Sequence, residues 1–161
     1  MGLTIYGVDT SLWQSSNQAY PPVIHFDCSL AARKGAQFGY MKVTTGTFKV
    51  DPEWQYTYEC WRLHNKKRGF YHWITNEDGN LQANKFLGAI GLKKGELPDA
   101  MDVEVPCYAK DVWKFASSLR DRTGKYPICY TSPYAWTKVI DGWTLVGLRL
   151  VRYKRLTESK I

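Results

Sequence analysis

Hydrophobic positions along this chain alternate between strand-like runs and helix-like stripes. Apolar runs predict buried strands at 5–8, 38–43, 69–73, 98–105, 126–131 and 148–153. Between them, apolar residues recur three and four positions apart, as in Trp54, Tyr58 and Trp61, which predicts helices with one buried face. This alternation is typical of an α/β chain with a parallel sheet.

Capping residues mark the ends of the helices. Asp51, Pro52 and Glu53 combine an N-cap, a proline at the first helical position and an acid in the first turn. Gly35 and Gly124 end the helices before them. Five strand–helix units and a sixth strand predict a TIM-like (β/α) barrel rather than an open sheet, as one domain over residues 1–161.

In such barrels the active site lies at the carboxyl ends of the strands. Five polar or aromatic residues each lie at the end of a different predicted strand: Asp9, Lys42, Trp73, Glu104 and Tyr130. A dinucleotide-binding fold would need a glycine-rich turn after the first strand, and residues 9–14 contain no glycine. The sequence therefore predicts a polar cleft without a nucleotide.

Two carboxylates are set into the apolar run at 98–105. Asp102 and Glu104 are two residues apart, so in a strand both side chains point to the same face. Neighbouring carboxylates raise each other's pKa, which suits an enzyme that needs one protonated and one ionised carboxyl at neutral pH. The alternative is a surface strand with two solvated acids, and we favour the catalytic interpretation.

Charge and aromatic content narrow the class of partner. The net charge is +7, which favours polyanionic partners: nucleic acid, an anionic membrane surface or an anionic cell wall. The lysines and arginines are mostly scattered, so no stripe indicates a nucleic-acid groove. Aromatic residues make up 15% of the chain and are typical of carbohydrate or peptide grooves, or of core filling.

Cysteine spacing and the N-terminus predict the compartment. The four cysteines match no disulfide framework, so we expect free, mostly buried thiols: Cys28, Cys60, Cys107 and Cys129. Cys60 and His64 make at most half a zinc site, and no metal is predicted. No signal peptide or membrane span is evident, which predicts synthesis in the cytoplasm and no membrane insertion.

Six segments, in order over residues 5–153, resemble the glycoside hydrolase family 25 lysozymes, which are the Chalaropsis-type muramidases common as phage endolysins. The segments are 6–14, 38–47, 51–54, 69–73, 100–104 and 124–131. The resemblance implies an irregular (β/α) barrel, and hydrolysis of the β-1,4 bond between N-acetylmuramic acid and N-acetylglucosamine in peptidoglycan. It implies no cofactor and glycan strands as the partner, reached by phage-type release.

The resemblance also implies roles for particular residues. Glu104 matches the family's general acid, Asp102 the carboxyl that orients or stabilises the substrate's acetamido group, and Asp9 a further acid. The expected sugar-binding residues are Tyr71, Trp73, Tyr130, Lys42 and Trp13. A spacing of two strand residues, about 6.6 Å, does not separate retaining from inverting geometry.

Two departures from the family pattern bear on these expectations. Thr45 stands where the family usually has an acid before Gly46, and nothing after Tyr153 matches the family's closing strands or their acid. We therefore expect a C-terminally shortened barrel with no wall-binding domain. Self-association that covers the open strand edge is our hypothesis, and the alternatives are a reduced but stable natural variant and a truncated product. The alternatives are a catalytically impaired peptidoglycan-binding or assembly protein and a different, chitinase-like glycosidase.

Overall fold

A computed structural model describes residues 5–15, 24–139 and 150–151. In these ranges the strands are β1 (Gly7–Thr10), β2 (Phe38–Thr45), β3 (Lys49–Val50), β4 (Lys67–Trp73), β5 (Ala100–Val103), β6 (Ile128–Thr131) and β7 (Leu150–Val151). The α-helices are α1 (Cys28–Arg33), α2 (Trp54–Leu63), α3 (Gly79–Ile90), α4 (Ala109–Thr123) and α5 (Pro133–Val139). A 3₁₀ turn covers Leu12–Gln14.

The strands form one sheet in the order β1-β2-β4-β5-β6-β7, and every neighbouring pair in this order is parallel. The sheet curls into a half-barrel over the described residues. This confirms the predicted α/β barrel class. Most of the segment expected to be strand six, and the charged tail after it, lie outside the described residues.

Helices α2, α3 and α4 cover the outer face of the sheet, and the core lies between these two layers. The ring of Trp54 meets Phe70 of β4 edge-on at 6.0 Å, while Tyr58 stacks on Phe70 at 5.7 Å. Trp61 is wholly buried beside them. The predicted aromatic stripe of α2 therefore packs in the core, where large apolar rings contribute most to burial.

A hydrogen-bonded polar group is embedded in this core. His72 of β4 stacks on Phe115 of α4 at 4.6 Å. Its Nδ1 lies 2.7 Å from Thr44 Oγ1 and its Nε2 lies 2.9 Å from Gln82 Oε1. The Gln82 amide in turn donates to the carbonyls of Thr75 and Glu77. Burial lowers the pKa of His72 to about 4, so the ring is neutral at neutral pH.

Two local elements differ from the sequence prediction. Helix α2 begins at Trp54 with Glu53 as its N-cap, because residues 52 and 53 form a turn. Strand β3 was not predicted; its two residues pair antiparallel with the end of β2 after a turn at Gly46. In the described ranges no helix has the length and apolarity needed to cross a bilayer.

The expectation of four free cysteines is wrong. Cys28, the first residue of α1, forms a disulfide with Cys60 of α2, with 6.3 Å between the two Cα atoms. Cys107 is half-buried and Cys129 is buried, and both are free thiols. The 32-residue separation of the bonded pair carries no recognisable spacing signal, and only the packing of α1 on α2 brings the sulfur atoms together.

Candidate active site

One row of side chains crosses the sheet at the carboxyl ends of its central strands. The register pairs Thr45 with Trp73, Trp73 with Asp102, and Asp102 with Tyr130. Paired residues of adjacent parallel strands lie about 4.8 Å apart on the same face. Trp73, Asp102 and Tyr130, three of the predicted site residues, are therefore neighbours, and Thr45 lies at the end of their row.

A second row lies one step deeper in the half-barrel, where Lys42 pairs with Tyr71. Lys42 is 8% exposed, and its Nζ lies 4.5 Å from the centre of the Trp73 ring. Burial lowers the pKa of Lys42, and the negative charges of Asp51, Asp102 and Glu104 oppose that shift. The cation is thus held between an aromatic face and carboxylates.

Tyr71 and His72 show how alternation divides the two faces of β4. His72 points outward to the helices, and Tyr71 lies on the inner face, where it is hydrogen-bonded to the side chain of Ser11. Burial, together with the negative charges of Asp9 and Asp102, raises the pKa of Tyr71. Its hydroxyl therefore stays protonated and can serve as a hydrogen-bond donor or acceptor.

Asp102 is the buried carboxyl of the site. It is 7% exposed, and its Oδ1 has no hydrogen-bond partner among the described residues. Burial raises the pKa of Asp102 to about 8; Glu104 and Asp9 add to the shift, and Lys42 opposes it. At neutral pH this carboxyl holds a proton, and one of its oxygens is left for another molecule to bind.

Asp9 and Glu104 lie at the exposed edge of the same cluster. Asp9 is the penultimate residue of β1, and Glu104 directly follows β5. Both side chains are exposed, and both act electrostatically on Asp102. The three carboxylates predicted as catalytic are therefore brought together, with Asp102 deepest.

Asp51 was predicted only as a helix cap, and the structure adds it to the edge of the site. Its Oδ1 accepts a hydrogen bond from Glu53 N at 3.0 Å and its Oδ2 accepts one from Leu12 N at 3.1 Å. Burial raises the pKa of Asp51, which these bonds and the charge of Lys42 oppose. An Asp-Pro pair at a helix start is the sequence pattern of a cap. That pattern alone does not reveal the hydrogen bond from Leu12.

Trp13 and Ser11 follow β1 at the rim. Trp13 is 63% exposed in the 3₁₀ turn, and its sugar contact stays a prediction. Ser11 caps this turn and also bonds Tyr71, a role that sequence reasoning missed. The three-residue spacing of Ser11 and Gln14 is that of a capping box and marks the turn, but it does not reveal the bond to Tyr71.

The arrangement suits acid–base chemistry. It combines exposed carboxylates, one buried protonated carboxyl, a buried cation and aromatic faces on which sugar rings can stack. A pair of carboxyl groups flanking one bond is what most glycoside hydrolysis requires. The described residues that could hold a metal ion, Cys28, Cys60 and His64, lie at the contact between α1 and α2.

A family model matches most of the chain. The model of the glycosyl hydrolases family 25 matches residues 8–148. This match confirms the resemblance inferred from the six sequence segments.

Individual relatives cover the chain to different extents. The "Uncharacterized protein YegX" of Escherichia coli O6:H1 (strain CFT073) is 30% identical over 147 residues, which are 87% of this chain and 53% of that protein. The chain thus spans about half the length of the curated relatives it matches.

Solved structures share the fold. A family 25 glycosyl hydrolase from Bacillus anthracis superposes with a TM-score of 0.79 at 22% identity, covering 98% of this chain and 74% of that one. The bacterial lysozyme from Streptomyces coelicolor superposes with a TM-score of 0.76 at 22% identity, covering 91% and 72%.

Proposed function

Because this chain belongs to the glycosyl hydrolases family 25, we propose that it hydrolyses the β-1,4 bond between N-acetylmuramic acid and N-acetylglucosamine in peptidoglycan. The solved relatives that share its fold include a bacterial lysozyme, which supports this choice of polymer. The net charge of +7 supports action at an anionic cell wall.

The observation that carries the proposal is the unpartnered buried oxygen of Asp102 beside the exposed Glu104. A buried polar atom without a partner is costly, and among the described carboxyl groups Asp102 is the only one that leaves such an atom. A substrate amide can fill that position, because a carboxyl group offers an acceptor oxygen whether it is protonated or ionised. The acetamido group of an amino sugar carries such an N–H.

In the proposed reaction, Glu104 gives a proton to the glycosidic oxygen as the bond from that oxygen to the anomeric carbon breaks. Asp102 accepts the acetamido N–H and holds that group against the anomeric carbon, where its carbonyl oxygen stabilises the developing positive charge. Water then supplies the hydroxyl of the new reducing end, and its remaining proton returns to Glu104. In the free chain at neutral pH Asp102, with its pKa at about 8, holds the proton of the pair, and this proton passes to Glu104 when Asp102 accepts the acetamido N–H.

The remaining residues supply binding. Tyr71, Trp73, Tyr130 and Trp13 offer aromatic faces and hydroxyls to sugar rings, and Asp9 adds a third carboxylate at the rim. Lys42 holds positive charge under Trp73, close to the carboxylates. Thr45 leaves the end of the row uncharged, where a carboxylate would have added to the repulsion felt by Asp102.

The proposal is tested by release of reducing sugars from purified peptidoglycan by the wild-type chain and by Glu104→Gln. We expect the variant to lose at least about 100-fold in rate, because an amide cannot transfer the proton. Glu59→Gln is the matched control, since Glu59 lies on α2 among exposed ion pairs and its loss should leave the rate unchanged.

Three results would contradict the proposal. Equal rates for wild type and Glu104→Gln would remove Glu104 from the chemistry. Binding to peptidoglycan without sugar release by the wild type would favour the catalytically impaired binding protein. Faster cleavage of chitin than of peptidoglycan would favour the chitinase-like alternative.

A further inference from the structure

Three metal-ligating side chains meet where α1 packs on α2, and the proposed hydrolysis uses none of them. The Sγ atoms of Cys28 and Cys60 and a ring nitrogen of His64 all lie within 4.8 Å of one another. Cys60 lies near the end of α2, and His64 is its C-cap, four residues later. Asp51 lies before the opposite end of α2, so this group is separate from the carboxylate cluster.

The positions follow from helix geometry. Residues four apart lie one above the other on a helix, so Cys60 and His64 share one side of the last turn. Cys28 reaches the same side because α1 packs on α2, with Phe26 and Trp61 in contact at 6.3 Å between ring centres. Two elements distant in sequence therefore contribute to one compact set of soft donors.

Two thiolates and one imidazole are a donor set that Zn²⁺ prefers. In a tetrahedral site with ordinary Zn–S and Zn–N bonds, ligand atoms lie about 3.5–3.8 Å apart. The His64 nitrogen lies within 4.8 Å of both sulfur atoms, and the sulfur atoms reach the tetrahedral spacing by side-chain rotation once the bond between them is open. The Cα separation of 6.3 Å leaves room for that rotation.

We propose that the dithiol form of this chain binds one Zn²⁺ ion through Cys28 Sγ, Cys60 Sγ and His64, with water as the fourth ligand. Each thiol gives its proton to solvent as a sulfur–zinc bond forms, the imidazole binds in its neutral form, and no electrons are transferred. The disulfide and the metal ion use the same two sulfur atoms, so each form excludes the other.

The ion would replace the disulfide as the link between α1 and α2. Helix α1 has only six residues, and so short a helix depends on contacts outside itself. Solvent can reach the site through exposed His64 and half-buried Cys60, while Cys28 is wholly buried. The chain would then keep the same helix contact in reducing and in oxidising surroundings.

Cobalt titration of the full chain tests this site. The protein is reduced with a phosphine, freed of reductant under nitrogen and titrated with Co²⁺, whose visible absorption reports tetrahedral thiolate ligation. We expect one Co²⁺ per chain, displaced by one equivalent of Zn²⁺, and a thermal midpoint for the reduced protein that rises with Zn²⁺. His64→Ala should weaken binding at least about tenfold, and Cys60→Ser should abolish the sulfur–cobalt absorption.

Cys107→Ser is the matched control, because it removes a thiol outside the group and should leave binding unchanged. His64 is exposed, so its alanine variant is expected to fold, and circular dichroism checks this for each variant. Equal Co²⁺ binding by the disulfide form, binding that survives Cys60→Ser, or no tetrahedral spectrum in the reduced wild type would each overturn the proposal. These measurements do not involve peptidoglycan, so they stand or fall independently of the hydrolase.

Discussion

Two buried polar groups on neighbouring strands have opposite surroundings. His72, on the outer face of β4, has partners for both ring nitrogens and stacks on Phe115. Asp102, on the inner face of β5, is also buried, but one of its oxygens has no partner among the described residues. Burial holds both groups uncharged at neutral pH, lowering the pKa of His72 to about 4 and raising that of Asp102 to about 8.

On the proposed function, the difference separates a polar group that supports the fold from one that is left for a substrate. A satisfied buried group stabilises a particular packing, whereas an unsatisfied one costs stability until a ligand completes it. The two groups are only one strand apart, so general flexibility or exposure does not explain the contrast. It can be tested by removing each group in turn.

The largest effect is expected from Asp102→Asn. The amide keeps the volume but loses the carboxyl chemistry, so hydrolysis should fall by at least about 100-fold while peptidoglycan binding remains. Sugar release and pull-down with insoluble peptidoglycan measure the two properties. Asp121→Asn, an exposed acid on α4, is the control and should behave as wild type.

The same variant should change the pH dependence of stability. The pKa of Asp102 is about 8 in the folded chain, well above its usual value of about 4, so the wild type loses stability as the pH rises from about 4 to 8. Asp102→Asn should lack this loss, of the order of a few kcal/mol. Denaturant unfolding at pH 5 and pH 9 measures the free energy of unfolding of the wild type and of the variant. The same change with pH in both proteins would contradict the contrast with His72.

A smaller effect, on stability alone, is expected from Gln82→Leu. The change leaves His72 Nε2 and the Thr75 N–H without their acceptor in the core, which should cost about 2 kcal/mol. The rate of sugar release by folded protein should not change. Gln55→Leu on the exposed side of α2 is the matched control. A large loss of rate with unchanged stability would place this network in the catalytic machinery.

The smallest effect is expected from Lys42→Met. Its cation opposes the rise in the Asp102 pKa, so its removal should raise that pKa and move the alkaline limb of the pH–rate profile to higher pH. We expect the rate at neutral pH to fall about tenfold, since a buried charged contact is lost. Lys67→Met, at the exposed start of β4, controls for charge. A profile that does not move would show that Asp102 is insulated from Lys42.

Alternation along the strands was the strongest signal in the sequence. It placed Asp102 and Glu104 on one face, and strand order brought them to the same edge as Asp9. The family resemblance gave these residues roles, which remain predictions. The apolar runs and cap residues also predicted the fold class, because these are local features that a single sequence records.

Features that depend on packing between distant elements were not predictable in this way. The Cys28–Cys60 disulfide exists because α1 lies on α2, and nothing in the spacing of the two residues indicates it. The depth of Asp102 relative to Glu104 depends on where β5 ends and on how the half-barrel curls. Strand β3, of two residues, is too short to produce a periodic pattern.

The hydrogen bonds of Asp51 have a consequence for folding order. This one carboxylate accepts hydrogen bonds from the amides of Leu12 and Glu53, which are 41 residues apart in the chain. Leu12 belongs to the rim after β1, and Glu53 to the start of α2. The carboxylate can protect both amides from hydrogen exchange with water only after the chain segment between them has folded into a closed loop. The rim of the cleft and the first turn of α2 are therefore expected to form, and to open, as one cooperative unit.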